Sequence, residues 1–159
     1  MPVDAAQFKH ALRRWASGVT IVTARAGETI HGMTVSAFSS VSLDPPLVLV
    51  CADRASNTHG VIADGRVFAA HILAQGQEAL SHRFASQADE WRRFEGIAWT
   101  SGVTGAPILP GALAVVECRV VAGHEAGDHV IYVGEVEAVR LGEAEPLVWY
   151  GGSYRRLAG

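Results

Sequence analysis

The two longest strand-like stretches of this chain, residues 108–121 and 130–141, are joined through the short run His124-Glu125-Ala126-Gly127-Asp128. A connection that short brings the chain back beside itself and pairs the two stretches antiparallel, whereas a parallel pair needs a crossover of about a dozen residues or more. In the second stretch Val130, Tyr132, Gly134 and Val136 alternate with Ile131, Val133 and Glu135, so both faces offer apolar surface for cover.

The remaining segments follow the same pattern. Shorter strands are expected at 19–23, 30–38, 47–52, 67–73 and 146–150, with Arg25-Ala26-Gly27-Glu28 as a hairpin turn and Asp44-Pro45-Pro46 as a forced one. Residues 4–16 read as an amphipathic helix with Phe8, Ala11, Leu12, Trp15 and Ala16 on one face. Asp4 and Gln7 form its cap signature and Ser17-Gly18 its stop. Helices are also expected at 56–64 and 77–85, the latter continued by 89–94. Strands joined by short turns, with helices only at the start and in the middle, predict a mainly β fold. That fold is an antiparallel, closed or partly closed β-barrel with flanking helices rather than a parallel α/β sheet. No repeat, low-complexity run or linker divides the 159 residues, so a single domain over 1–159 is expected.

Composition narrows the partners. Hydrophobic residues make up 49% of the chain and charged ones only 18%, which predicts surface buried against a second subunit. A net charge of −3 argues against nucleic acid or an acidic membrane as partner. Lys9 is the only lysine among the 13 basic residues, so an anion clamp must use Arg, hydroxyls and backbone N–H groups. Cys51 and Cys118 sit in apolar runs without metal-ligand spacing and read as core thiols. Without a signal peptide or an apolar run approaching about 18 residues, a soluble cytoplasmic protein is expected.

Dinucleotide-fold, P-loop, nucleophile-elbow and zinc signatures are absent. Asp89-Glu90 and Glu143/Glu145 sit in polar loops and read as solvated charge. The chemistry that remains is of another kind. Thr34, Ser36, Ser39, Ser40 and Ser42 place five hydroxyls in nine positions, ahead of the apolar run 47–52. Their plain reading is an edge strand and loop. Asp53-Arg54-Ala55-Ser56-Asn57-Thr58 tilts it toward a ligand, because Ser56, Asn57 and Thr58 open a helix whose N–H groups suit a phosphate, or simply cap it. In Ser81-His82-Arg83-Phe84 the plain reading is a solvated Arg and a packed Phe84, and the other is an Arg beside a phosphate or ring edge. His129, after Gly127-Asp128, reads as a turn residue or as a flat ring able to stack on a nicotinamide, and Gly151-Gly152-Ser153-Tyr154 as a flexible end or as close backbone approach with an aromatic face.

Taken in order, these pieces resemble the short-chain flavin reductases, the NAD(P)H:flavin oxidoreductases that supply reduced flavin to two-component monooxygenases. The resemblance is carried by Phe8 to Leu12, Ser17 to Thr23, Gly32-Met33-Thr34-Val35-Ser36-Ala37-Phe38 and Ser42-Leu43-Asp44-Pro45-Pro46. It continues through Ser56-Asn57-Thr58, Gly105-Ala106-Pro107, Cys118, Gly127-Asp128-His129 and Leu147 through Tyr154. It implies an FMN-binding split barrel, a homodimer with flavin near the subunit interface, FMN or FAD as flavin and NADH or NADPH as donor. It further implies that Gly32, Met33, Thr34, Val35, Ser36, Ser39, Ser40, Cys51, Ala52, Asp53, Ser56, Asn57 and Thr58 line the flavin. Ser81, His82, Arg83, Phe84 and Tyr154 contribute as well, and His129 contacts the nicotinamide. Tyr150 departs from the family's C-terminal motif, which often carries Arg there. The implied reaction passes hydride from nicotinamide C4 to flavin N5 for use by a partner oxygenase. Two other readings on the same fold are a flavin carrier without turnover and a tight-flavin oxidase. The latter needs a basic cluster that a chain with one lysine does not obviously provide.

Overall fold

The computed structural model describes residues 1–159. The chain opens with helix α1 (Ala5–Leu12) and the two-residue strand β1 (Ser17–Gly18). Then come β2 (Thr20–Ala26), β3 (Thr29–Val35), β4 (Phe38–Leu43), β5 (Pro46–Asp53), helix α2 (Asn57–Gly65) and β6 (Val67–Ile72). Helix α3 (Glu78–Ala85) and a 3-10 turn at Glu90–Arg92 lead to the short pair β7 (Thr100–Ser101) and β8 (Pro107–Ile108). The hairpin β9 (Ala114–Ala126) and β10 (His129–Leu141) follows, then the hairpin β11 (Val148–Tyr150) and β12 (Ser153–Arg155).

Seven strands form one antiparallel sheet in the order β3-β2-β6-β9-β10-β5-β4. Its two edges, β3 and β4, are consecutive in the chain and joined only by Ser36-Ala37. Two residues span at most about 7 Å, so the sheet must curl until its edges adjoin, leaving a barrel split along one seam. The Cys51 N–H donates to the Ala37 carbonyl at 3.1 Å and holds the link against β5. This is the antiparallel split barrel with flanking helices expected above.

Period-two alternation fills the interior. Val22, Ala24, Val48, Val50, Ala52, Phe68, Ala70, Cys118, Val120, Val130 and Tyr132 point inward, and Val61 and Ile62 of α2 join the same cluster. Gly134 makes room for the largest of them, since a Cβ there would stand 2.7 Å from Phe68 Cζ and 2.6 Å from Cys118 Cβ. Burial, with the Glu117 charge second, pushes the Cys118 thiol up to about 12, so it is an inert core group. Cys51, on β5, is only half-buried. A second cluster, Val19, Ile21, Leu73, Phe84, Leu109 and Leu147, lies outside the barrel and docks α3.

Several boundaries differ from the sequence expectation. Asp4 does cap α1, its Oδ1 accepting from the Gln7 N–H at 2.8 Å, but the helix stops at Leu12 and none of its residues is buried. The expected strand over 30–38 breaks at Ser36-Ala37, where the chain leaves one barrel edge for the other. The stretch 108–121 is interrupted between Ile108 and Ala114, where Pro110 has no N–H for a ladder and Gly111 takes φ +85. The turn of the long hairpin shrinks to Gly127-Asp128. The Gly-rich chain end is itself a hairpin.

His71 is a fixed internal brace. Its Nδ1–H donates to the Ile21 carbonyl and its Nε2 accepts from the Leu109 N–H, both at 3.0 Å. Burial lowers its pKa to about 4. The unfolded chain therefore takes up a proton near pH 6.5 that the folded chain refuses until about pH 4. Stability conferred by the neutral imidazole is complete above pH 6.5 and falls as pH drops toward 4, by on the order of 3 kcal/mol across the window. Urea unfolding midpoints measured at pH 7 and 4 should show this loss in the wild type and a smaller pH slope in His71→Asn.

Candidate active site

The site is built outward from the barrel seam. Thr34, next to last in β3, donates its hydroxyl to the Ser81 carbonyl at 2.5 Å, tying the edge strand to α3. The Tyr154 hydroxyl donates to Ser81 Oγ at 2.7 Å, so β12 joins the same knot. Trp149 of β11 packs edge-on against Tyr154, with centroids 5.0 Å apart.

Three hollows follow the seam and share residues. The first, about 540 Å³, lies between β3, the start of α2 and the segment after α3; Met33, Thr34, Asp53, Ser56, Asn57, Thr58 and Phe84 line it. The second, about 390 Å³, shares Thr34 and Ala85 with the first and is lined by Ser36, Ser81, His82, Trp149 and Tyr154. The third, about 590 Å³, shares Ser36 and Trp149 with the second and takes in Ser39, Lys9, Leu12, Arg13 and Trp15. Together they form one groove, each part within the roughly 300–1,000 Å³ of small-molecule sites.

Other residues implied by the resemblance fall elsewhere. Val35 and Ala52 turn their side chains into the barrel core, so only their backbone can face the groove. Gly32 is covered by the Phe84 ring, 3.0 Å from where a Cβ would stand. Its carbonyl accepts from Arg93 Nη1 at 2.7 Å. Ser40 and Cys51 are not among the lining residues of these hollows. Arg83 turns away, its Nη2 donating to the carbonyls of Arg92 at 3.0 Å and Glu95 at 2.5 Å, and so braces the segment after α3. His129 is not among the lining residues either, but in the β10–β5 ladder it stands opposite Asp53, which lines the first hollow. Because a carboxylate only accepts, the His129 Nδ1–H donates to Asp128 Oδ1, at 2.7 Å, which leaves Nε2 as the free ring nitrogen. That bond holds Asp128 below the usual carboxylate range.

The start of α2 is preorganised. Asp53 Oδ1 accepts from the Ala55 N–H at 2.8 Å, and Ser56 Oγ accepts from the His59 N–H at 3.1 Å while donating to the Asp53 carbonyl. Asn57 and Thr58 lie in the first turn, whose N–H groups have no partner within the helix. Sequence reasoning missed three groups here: His31, Glu90 and Arg93 also line the first hollow. His31 was detectable, since period two places it on the Met33 face of β3. Glu90 was not. It read as solvated loop charge, yet its carboxylate accepts from Asn57 Nδ2 at 2.5 Å. Burial, and then the Arg93 charge, holds His31 below its ordinary value against the opposing pull of Glu90. The one hydroxyl–imidazole contact in this groove, Thr58 Oγ1 with His31 Nδ1 at 2.6 Å, is fully buried and braces β3 against α2. The groove's hydroxyls, free first-turn N–H groups and aromatic rim suit a planar ligand with polar edges and a phosphate.

Residues 12–158 match the flavin reductase like domain, and the chain belongs to that family. It is 41% identical over 155 residues to the FMN reductase (NADH) SmoA of Agrobacterium fabrum, covering 98% of this chain and 87% of that protein. It is 46% identical over 151 residues to the reductase component of 4-hydroxyphenylacetate 3-monooxygenase from Thermus thermophilus, covering 94% and 95%. Among solved structures, the NADH:FAD oxidoreductase SgcE6 of Streptomyces globisporus, in complex with NAD and FAD fragments, superposes with a TM-score of 0.91. That pair is 36% identical, with 98% of this chain and 93% of that chain covered.

The Tyr154–Ser81 bond joins the chain end to the groove wall, and Ser81 is buried. Tyr154→Phe is expected to lower unfolding stability by about 1 kcal/mol. A double-mutant cycle with Ser81→Ala, read by urea denaturation, should return a coupling of about 0.5–1.5 kcal/mol.

Proposed function

We propose that the groove along the barrel seam is where flavin and reduced nicotinamide meet. The chain is an NAD(P)H:flavin oxidoreductase that supplies reduced flavin to a partner monooxygenase. The observation carrying the site assignment is the continuity of the groove from the first turn of α2, past Met33, Thr34 and Ser36, to the Trp149–Tyr154 face. The fit to a flavin phosphate rests on two buried donors in that groove without a hydrogen-bond partner, His31 Nε2 and Arg93 Nε.

When bound, flavin accepts at N5 the hydride that reduced nicotinamide gives from C4. The protein's share is binding and alignment. Ser56, Asn57 and Thr58 hold the phosphate, and backbone groups of Met33 to Ser36 face the polar edge of the ring. Tyr154 and Trp149 wall the far side. His129 of β10 orients the nicotinamide. Holding two partners aligned can supply roughly 7–11 kcal/mol of barrier reduction, which is why no side-chain acid or base need be assigned.

The third hollow carries the oligomer reading. Leu12, the last residue of α1, and Trp15 just beyond it line it and are 54% and 75% exposed, while Phe8 of α1 is 55% exposed. We assign a second copy of the chain to this apolar surface, making a homodimer whose interface runs into the flavin groove. No helix of the chain is long and apolar enough to cross a membrane. We place the enzyme in the cytoplasm, with both cysteines free as the structure has them.

The purified protein should oxidise NADH or NADPH only when FMN or FAD is added, and reduced flavin should accumulate without oxygen. His129→Ala should lower kcat/KM for the nicotinamide by about 10–100-fold, with flavin affinity roughly unchanged. Flavin binding without nicotinamide oxidation would overturn the reductase assignment.

A further inference from the structure

We propose that Glu90 is a built-in occupant of the phosphate site, an internal anion that the flavin phosphate must displace. This rests on the groove being the flavin site. The Glu90 carboxylate sits at the first turn of α2, with Oε1 accepting from Asn57 Nδ2 at 2.5 Å. Its Oε2 is 3.7 Å from His31 Nε2 and 4.0 Å from Arg93 Nη2. These are the groups an incoming phosphate would use, so carboxylate and phosphate compete for one place.

The carboxylate fills that place imperfectly. His31 Nε2 and Arg93 Nε are both buried without a hydrogen-bond partner, on residues only 2% and 6% exposed. His31 Nδ1 lies 2.6 Å from Thr58 Oγ1. A bare lone pair facing a carboxylate is repulsive, so the Thr58 hydroxyl donates to Nδ1 and Nε2 carries the hydrogen that points at Glu90. A buried donor left unmet is costly. A phosphate, with three acceptor oxygens and more charge than a carboxylate, can satisfy donors that Glu90 leaves at 3.7 Å or beyond.

The exchange needs only a side-chain movement. Glu90 opens the one-turn 3-10 segment Glu90–Arg92, and its side chain is 29% exposed at the mouth of the hollow. Arg83 grips the carbonyls of Arg92 and Glu95, and Arg93 Nη2 grips the Ser86 carbonyl at 2.6 Å, so the backbone stays anchored when the carboxylate swings out. Trp91 of the same turn contacts the His31 ring edge-on with centroids 4.6 Å apart, which makes its indole a reporter of the exchange. An internal competitor of this kind weakens phosphorylated flavins and leaves riboflavin alone. That suits a protein whose flavin must depart after reduction.

The experiment is equilibrium binding of FMN and riboflavin to the wild type, Glu90→Gln and Glu90→Ala, with inorganic phosphate as competitor. Both variants should tighten FMN by on the order of tenfold, as expected for removal of a like charge, and leave riboflavin unchanged. In the wild type, phosphate should weaken FMN binding without weakening riboflavin binding. It should also perturb a fluorescence signal that disappears in Trp91→Phe. Equal changes for the two flavins, weaker FMN binding in the variants, or no Trp91-dependent response to phosphate would overturn the proposal. If the variants do not fold, the two wild-type measurements decide. If neither flavin binds the wild type, the assignment of the groove to flavin fails. The phosphate response of Trp91 then still judges Glu90 as occupant of an anion site.

Discussion

The two residues Ser36-Ala37 set the architecture. They join the two edge strands of a seven-stranded sheet and so oblige that sheet to close on itself. An edge strand carries unpaired N–H and C=O groups. In an open sheet that row invites another chain, whereas here both edges face one seam inside one molecule. The groove follows the seam because backbone donors and acceptors remain available there, beside Thr34 and Ser36, in a wall kept rigid by the packed barrel behind it.

Much of this was legible in the sequence. The short joint between the two longest strands and the Asp4 and Ser56 caps could be read directly, because each depends on a few neighbouring residues. The break at Ser36-Ala37 was not legible, since the apolar and hydroxyl pattern runs through it and only barrel closure demands it. The same holds for the groove. Hydroxyls in one strand and a helix start could be read as a ligand-binding set. That Glu90 reaches back across 33 residues to Asn57 depends on tertiary contact alone. Arg83 shows the same limit: local sequence offers a cation, free or beside a ligand, and only long-range packing commits its Nη2 to the carbonyls of Arg92 and Glu95.

Scarcity of mobile positive charge is the electrostatic theme of the groove. In the first hollow the only Arg or Lys is Arg93, whose guanidinium is already committed to the carbonyls of Gly32 and Ser86. A cation so tethered contributes a fixed field and little adaptable hydrogen bonding. Only its Nε, with His31 Nε2, is left without a partner, and the hydroxyls and first-turn amides supply the remaining donors of the groove.

The wall carrying Trp149 and Tyr154 belongs to a small sheet in which β1, near the start of the chain, pairs with β11, which in turn pairs with β12 at its end. The Gly151 N–H also donates to the Arg13 carbonyl, drawing the same two regions together. A nascent chain lacks this wall until β12 has emerged, even if the seven barrel strands, which all precede it, have already closed. A chain cut before Tyr154 keeps every barrel strand and loses the tie from Tyr154 to Ser81 that closes the groove wall.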